Sequence, residues 1–334
     1  MTDRSARPHP AVRTSANEHW ANITENTFVS GMLVLYGIYR YLGRWPFRLC
    51  LYPVVFYYWL SRRQARVSSL QYLRRLWQFH GAFDGQPNWR HTLRHFLTFA
   101  EVILDKMLTF TGRYRDDGLR VVGHEPLVEH IKSGRGAVLV TAHTGCIELC
   151  QAMAERQPGL KLTILVHTKH AARFNRLMAR LSGETAVQLL QVTDFSVPTA
   201  MMLAEKVQRG ELIAIAGDRV PVGRGKTCKA SFLGQDALFP VGPYVIAALL
   251  KCPLFFMCCI RQDHGYVVEF RQLAETVVLP RKQRGEALAT YARLYAEQLE
   301  DMLRQSPYDW FNFFPFWGGE AGALPAGNNQ YEHH

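Results

Sequence analysis

With 334 residues, 48% hydrophobic and 20% charged, the chain can bury a sizeable core, which excludes an intrinsically disordered protein. Its formal net charge of +11 is unevenly spread: residues 1–80 hold eleven Arg and no Lys against Asp3, Glu18 and Glu25. No basic-region helix, zinc finger or aromatic RNA-binding motif accompanies that charge, so it points to an anionic membrane surface or an acidic partner and away from nucleic acid.

Residues 1–25 are polar and lack the apolar centre of a secretory leader, so a cytoplasmic-side protein is expected. Seven Cys without a C-x-x-C pair agree with this, reading as buried free thiols in a reducing compartment. Two apolar stretches follow, Thr27 to Tyr39 and Leu49 to Ser61, each shorter than the ~20 residues of a spanning helix. Rich in Tyr, Trp and Phe and flanked by Arg44, Arg48, Arg62 and Arg63, they suit helices lying at a membrane interface. A buried helical hairpin is the other reading. Residues 64–120 carry apolar side chains at helical spacing, among them Leu70, Leu73, Leu76 and Phe79.

From about residue 120 strands and helices alternate. Strands are expected at Gly136–Thr141, Leu160–Val166, Leu189–Val192, Leu212–Ala216, Leu254–Ile260 and Tyr266–Phe270. Helices are expected at Ile147–Glu155, Ala171–Leu181, Pro198–Arg209 and Val241–Leu250, with a long amphipathic one carrying Leu288, Tyr291, Tyr295, Leu299 and Met302. The pattern is that of an α/β domain with a central sheet flanked by helices. The resulting division is a polar N-terminus (1–25), an apolar aromatic and Arg-rich segment (26–63), an α/β domain (64–310), and an aromatic segment with a Gly- and Ala-rich tail (311–334).

Within Val138-Leu-Val-Thr-Ala-His143-Thr-Gly-Cys-Ile-Glu148, a buried strand runs into a His, small residues and a helix. Sites on α/β sheets gather at the carboxyl ends of strands. If His143 lies in the turn, Glu148 in the first helical turn can hold one imidazole nitrogen while the other takes a proton from a hydroxyl. Spacing alone is weak: three His-x-x-x-x-Glu pairs occur, His124–Glu129 and His264–Glu269 being the others, where chance gives roughly one. Only His143 is read with strand–turn–helix context, and a structural His remains open.

A second buried strand, Leu212 to Ala216, leads into Gly217-Asp218-Arg219-Val-Pro-Val-Gly223-Arg224-Gly225-Lys226. Such a loop can stabilise an oxyanion or bind a phosphate, and it can equally be a solvated basic turn. It is not a Walker A loop. Phe232 to Pro243 reads as an apolar loop, lining an acyl channel or simply turning the chain. The run Trp310 to Trp317 can be core, membrane contact or channel lining. No Gly-x-Ser-x-Gly elbow is present, though Cys146 beside His143 leaves a serine- or cysteine-type lipid hydrolase as an alternative, with a non-catalytic membrane scaffold as another.

Over roughly residues 100–310 the chain resembles the lysophospholipid acyltransferase superfamily, in particular its bacterial lipid A biosynthesis (lauroyl/myristoyl) branch. The His-x-x-x-x-Asp/Glu signature falls on His143 and Glu148. The strand–Asp–basic-loop block falls on Gly217 to Gly234, and a basic segment on Lys169 to Arg180. The resemblance implies a glycerolipid-acyltransferase-like sheet with a helical, membrane-associated N-terminal segment at the cytoplasmic face of the inner membrane. It implies direct acyl transfer from acyl carrier protein or acyl-CoA to a hydroxyl of a membrane lipid or glycolipid, without metal or cofactor. His143 would be the base, Glu148 its orienting group, and Asp218, Arg219 and Arg224 the substrate-binding residues. Two departures stand out: Asp218-Arg219 replaces the usual Asp-Gln, and the C-terminal Trp310 to Trp317 lacks the usual Arg pair. The chain is also similar to acyltransferases found with aryl-polyene pigment synthesis.

Overall fold

The computed structural model describes residues 34–114, 118–155, 160–166, 187–191, 196–220, 225–262 and 265–317. The polar N-terminus, part of the first apolar stretch, the helix expected at Ala171–Leu181, the basic segment Lys169–Arg180, Arg224, His264 and the tail after Gly318 lie outside them. The chain divides into two compact units, Met1–Val54 and Val55–His334. Residues 34–42 are helical, and α1 (Arg44–Ser61) follows. Among the described residues no helix is long and apolar enough to cross a membrane.

The remaining elements are α2 (Arg63–His80), α3 (Trp89–Phe110), β1 (Arg120–Val122), α4 (Glu125–Lys132), β2 (Val138–Thr141), α5 (Glu148–Glu155), β3 (Leu162–Val166), β4 (Val187–Gln191), α6 (Val197–Gln208), β5 (Leu212–Ala216), β6 (Thr227–Phe232), β7 (Gln235–Pro240), α7 (Gly242–Leu250), β8 (Leu254–Gln262), β9 (Gly265–Ala274) and α8 (Arg284–Gln305). Seven strands form one sheet in the order β1-β9-β8-β2-β5-β3-β4. From β8 to β4 the neighbours are parallel, while β9 runs antiparallel to β8.

The inner strands are continuous apolar runs because both faces are covered. Val138, Val140, Ile213, Ile215, Phe256 and Cys258 point into one core, with residues of α2, α6, α7, α8 and the β6–β7 hairpin. Leu139, Leu212, Ala214, Phe255, Met257 and Cys259 point into a second, which Val102 of α3, Leu127 of α4 and Leu149 of α5 complete. The period-two alternation therefore divides each strand between two hydrophobic layers.

Two local expectations change and a third is narrowed. Phe232 to Pro240 is not a loop: it forms part of a β-hairpin whose turn, Leu233-Gly234, takes φ of 48° and 75°. Both positive angles suit a turn matched to strand twist, and only the glycine adopts its angle without strain. Phe232 and Phe239 are core residues, so this segment turns the chain. Secondly, β1 precedes His124, so that histidine too has a strand before it, although it sits half-buried beside Glu125 at the start of α4. Thirdly, the aromatic run is largely core: Trp310, Phe311 and Trp317 are buried.

Candidate active site

The parallel register of β2 and β5 builds the site. Thr141 lies opposite Ala216, the last residue of each strand, and the Gly217 amide continues the ladder to the Thr141 carbonyl at 2.8 Å. His143 and Asp218 are each two residues beyond that pair, at the carboxyl edge of the sheet. The His143 amide donates to Asp218 Oδ2 at 2.8 Å, and its ring Nδ1 lies 2.7 Å from Oδ1. Asp218 Oδ2 also accepts from the Trp310 indole N–H at 2.9 Å.

A carboxylate only accepts, so the contact fixes the proton on Nδ1 and leaves the lone pair of the neutral ring on Nε2. The Asp218 side chain is 1% exposed and that of His143 36%, so one end of the pair is sealed while the imidazole reaches solvent. Burial pushes the Asp218 carboxyl up, but the His143 charge and hydrogen bonds and the nearby Arg219 outweigh it and hold the pKa at about 2. Asp218 therefore stays ionised throughout the neutral range.

The turn between β2 and α5 is pinned from two sides. Gly145, at φ 42°, backs onto the Cys259 carbonyl of β8, where a Cβ would collide. Asp309–Phe311 crosses in front as a strap: the Gly145 amide donates to the Asp309 carbonyl at 3.0 Å, and the Phe311 amide to the His143 carbonyl at 2.9 Å.

Glu148 does not orient His143 in this structure. It opens α5, and its carboxylate receives Lys106 Nζ of α3 at 2.9 Å, both side chains being mostly buried. The first helical turn presents Glu148 to α3, whereas the next strand delivers Asp218 to the imidazole. The hydrogen bonds of Asp218 go to His143 and Trp310, while Arg219 acts on it through its charge. Arg219 is turned to the strap: its guanidinium donates to the Phe311 carbonyl at 3.3 Å and lies 5.0 Å from the Phe314 ring centroid.

Cys146 is buried, with its thiol 3.8 Å from Thr109 Oγ1, and burial together with the Glu148 charge pushes its pKa well up. A thiol kept protonated and inaccessible is a poor nucleophile. Cys146→Ala is therefore expected to keep most of the activity and to cost about 1 kcal/mol of stability. Intact-protein mass spectrometry after incubation with an acyl thioester checks this, since an acyl group trapped on Cys146 would establish a covalent route.

Sequence reasoning missed Asp218 as the imidazole's partner and Trp310 as a contact of the pair. The signal for Asp218 was present: Val138 to His143 and Leu212 to Asp218 each end in a polar group two residues beyond an apolar strand. No such signal marks Trp310 within its aromatic run.

An α/β protein that presents an imidazole, backed by a buried carboxylate, at the carboxyl edge of a largely parallel sheet can accept a proton from a group bound beside it. The model of the bacterial lipid A biosynthesis acyltransferase family matches residues 88–318, and the chain belongs to that family. Membership makes it an acyltransferase of the lipid A biosynthesis type. A search of curated proteins found no significant match.

Proposed function

We propose that the chain moves a fatty or polyene acyl group from the thioester of acyl carrier protein or coenzyme A onto a hydroxyl of a membrane lipid or glycolipid of the lipid A kind. The observation that carries this reading is the 2.7 Å contact between His143 Nδ1 and Asp218 Oδ1, on an imidazole that is still open to solvent.

His143 Nε2 takes the proton as the acceptor oxygen attacks the thioester carbonyl carbon, and Asp218 stabilises the imidazolium. The tetrahedral intermediate collapses with rupture of the C–S bond. The leaving thiolate recovers the proton from the imidazolium, so the products are an ester and a free thiol. Arg219 and Arg224 are assigned to negative charge on the oxyanion or the carrier phosphate, and Glu148, paired with Lys106, to holding the start of α5 against α3.

The assay offers the full-length protein acyl carrier protein and coenzyme A thioesters, each with a deacylated lipid A precursor, and reads the acceptor by mass spectrometry. A gain of one acyl group, lost on mild base, is the expected result. Release of free fatty acid without an acylated acceptor would replace transfer by hydrolysis.

The site is assigned to the cytoplasmic face of the inner membrane, with the N-terminal segment lying on the bilayer. Residues of α1 support this: Trp45 is 77% exposed and Tyr57 66%, and exposed Arg62 and Arg63 follow within two residues of its end. Aromatic and apolar groups flanked by cations suit the headgroup boundary. A surface Arg contributes about 1 kcal/mol of attraction to an anionic leaflet, so the Arg62→Ala, Arg63→Ala double variant should bind phosphatidylglycerol vesicles roughly thirtyfold more weakly. Vesicle sedimentation measures it; unchanged affinity at low and high salt would reject the surface role.

A further inference from the structure

Trp310 reaches Asp218 on Oδ2, the oxygen that also accepts the His143 amide, and its own position is set by two helices. The His95 ring of α3 is buried, and its Nε2 lies 2.9 Å from the Trp310 carbonyl. A carbonyl only accepts, so Nε2 carries the proton. His95 Nδ1 then accepts from the hydroxyl of Ser69, of α2, at 2.9 Å. Burial holds the His95 pKa at about 4 against the opposing bond to Trp310, so the ring is neutral and this tautomer is the one present near pH 7. The indole is packed edge-on against Tyr72 and Phe232, with ring centroids 5.0 and 5.3 Å away, and is fully buried. Ser69 and His95 therefore anchor the main chain of Trp310, and the indole of that residue donates to Asp218 Oδ2 at 2.9 Å.

We propose that Trp310 is a positioning residue of the transfer reaction: its indole N–H, anchored by Ser69 and His95, fixes the Asp218 carboxylate so that Oδ1 holds the His143 ring with Nε2 toward the acceptor hydroxyl. The proposal rests on His143 being the base. The N–H has a second effect. By donating to Oδ2 it draws charge from the carboxylate, so the imidazolium is stabilised less than it would be by Asp218 alone.

The test uses the full-length protein with Trp310→Phe, which retains an aromatic ring and deletes the donor, and His143→Ala beside it. Loss of a hydrogen bond to a charged acceptor should lower kcat about tenfold to a hundredfold with KM nearly unchanged. The acid limb of kcat/KM should move to higher pH, because His143 then faces a more basic carboxylate. A shift of that limb is not expected from a packing defect alone. Where Trp310→Phe does not fold, benzothienylalanine at position 310 keeps the shape of indole while replacing the N–H by sulfur, and the same changes are expected. An unmoved acid limb with kcat retained overturns the proposal, as does a rise in KM alone. Full activity of His143→Ala would instead overturn the reading on which it rests, so the two failures are separable.

Discussion

Asp218→Asn is expected to lower kcat by about 10⁴-fold, the scale on which a carboxylate holding a catalytic imidazole is felt. The reason lies in donor and acceptor counting. Asp218 accepts three N–H groups: the His143 amide and the Trp310 indole on Oδ2, and the His143 ring on Oδ1. An Asn can keep the first two only by placing its oxygen at the Oδ2 position. Its NH₂ then faces Nδ1 and donates, which drives the imidazole proton to Nε2 and removes the lone pair that should accept from substrate. Glu148→Gln, by contrast, should leave kcat close to wild type and act on stability, because Glu148 neutralises the mostly buried Lys106. Turnover by product mass spectrometry, with thermal unfolding followed in parallel, decides between them. Should Glu148→Gln be dead and Asp218→Asn active, the assignment of the orienting carboxylate would be reversed.

His143→Ala is expected to reduce turnover by about 10²–10⁴-fold, the usual contribution of a general base. The fold should survive, since the strap contacts use the main chain of residue 143: its carbonyl receives the Phe311 amide and its amide reaches Asp218. The variant does lose the charge-assisted bond to Asp218. In the wild type that carboxyl has its pKa depressed to about 2, below the ~3.9 of an unfolded Asp. Its contribution to stability is present in full above the unfolded value and is lost as pH falls toward 2. His143→Ala should therefore lose less stability than the wild type over that interval, as acid unfolding would show. Near-normal turnover by folded His143→Ala would remove His143 from the mechanism.

Much of this architecture is written locally in the chain. Leu212 to Ala216 is a strand to the residue because an unbroken apolar run bounded by Gly210 and Gly217 has few other uses. The periodicity of Leu288, Tyr295, Leu299 and Met302 marks the buried face of α8 in the same way. Phe232 to Pro240 reads as a loop because three consecutive exposed residues, Gly234, Gln235 and Asp236, interrupt its apolar positions about a turn whose angles no spacing rule identifies. In the site, His143 was legible because a strand and a turn precede it. Its partner was not, because a five-residue spacing favours Glu148, while strand register brings in Asp218 from 75 residues away. Register between strands separated by α5, β3, β4 and α6 is a property of the folded sheet, and no window of sequence contains it.

The strap bears on when the enzyme can act. The groups around the reacting imidazole come, in chain order, from residues 69, 95, 143, 218 and 310, and the last of them closes the set. A chain still being synthesised can pair β2 with β5 and bring His143 to Asp218, but until residues 309–311 are available the strap is missing from the front of the turn and the His143 amide is the one N–H described above on Asp218 Oδ2. On the proposed function, the site is therefore complete only once these C-terminal residues have packed. On that reading, a molecule clipped before residue 309 is expected to retain most of its sheet and to lose acyl transfer.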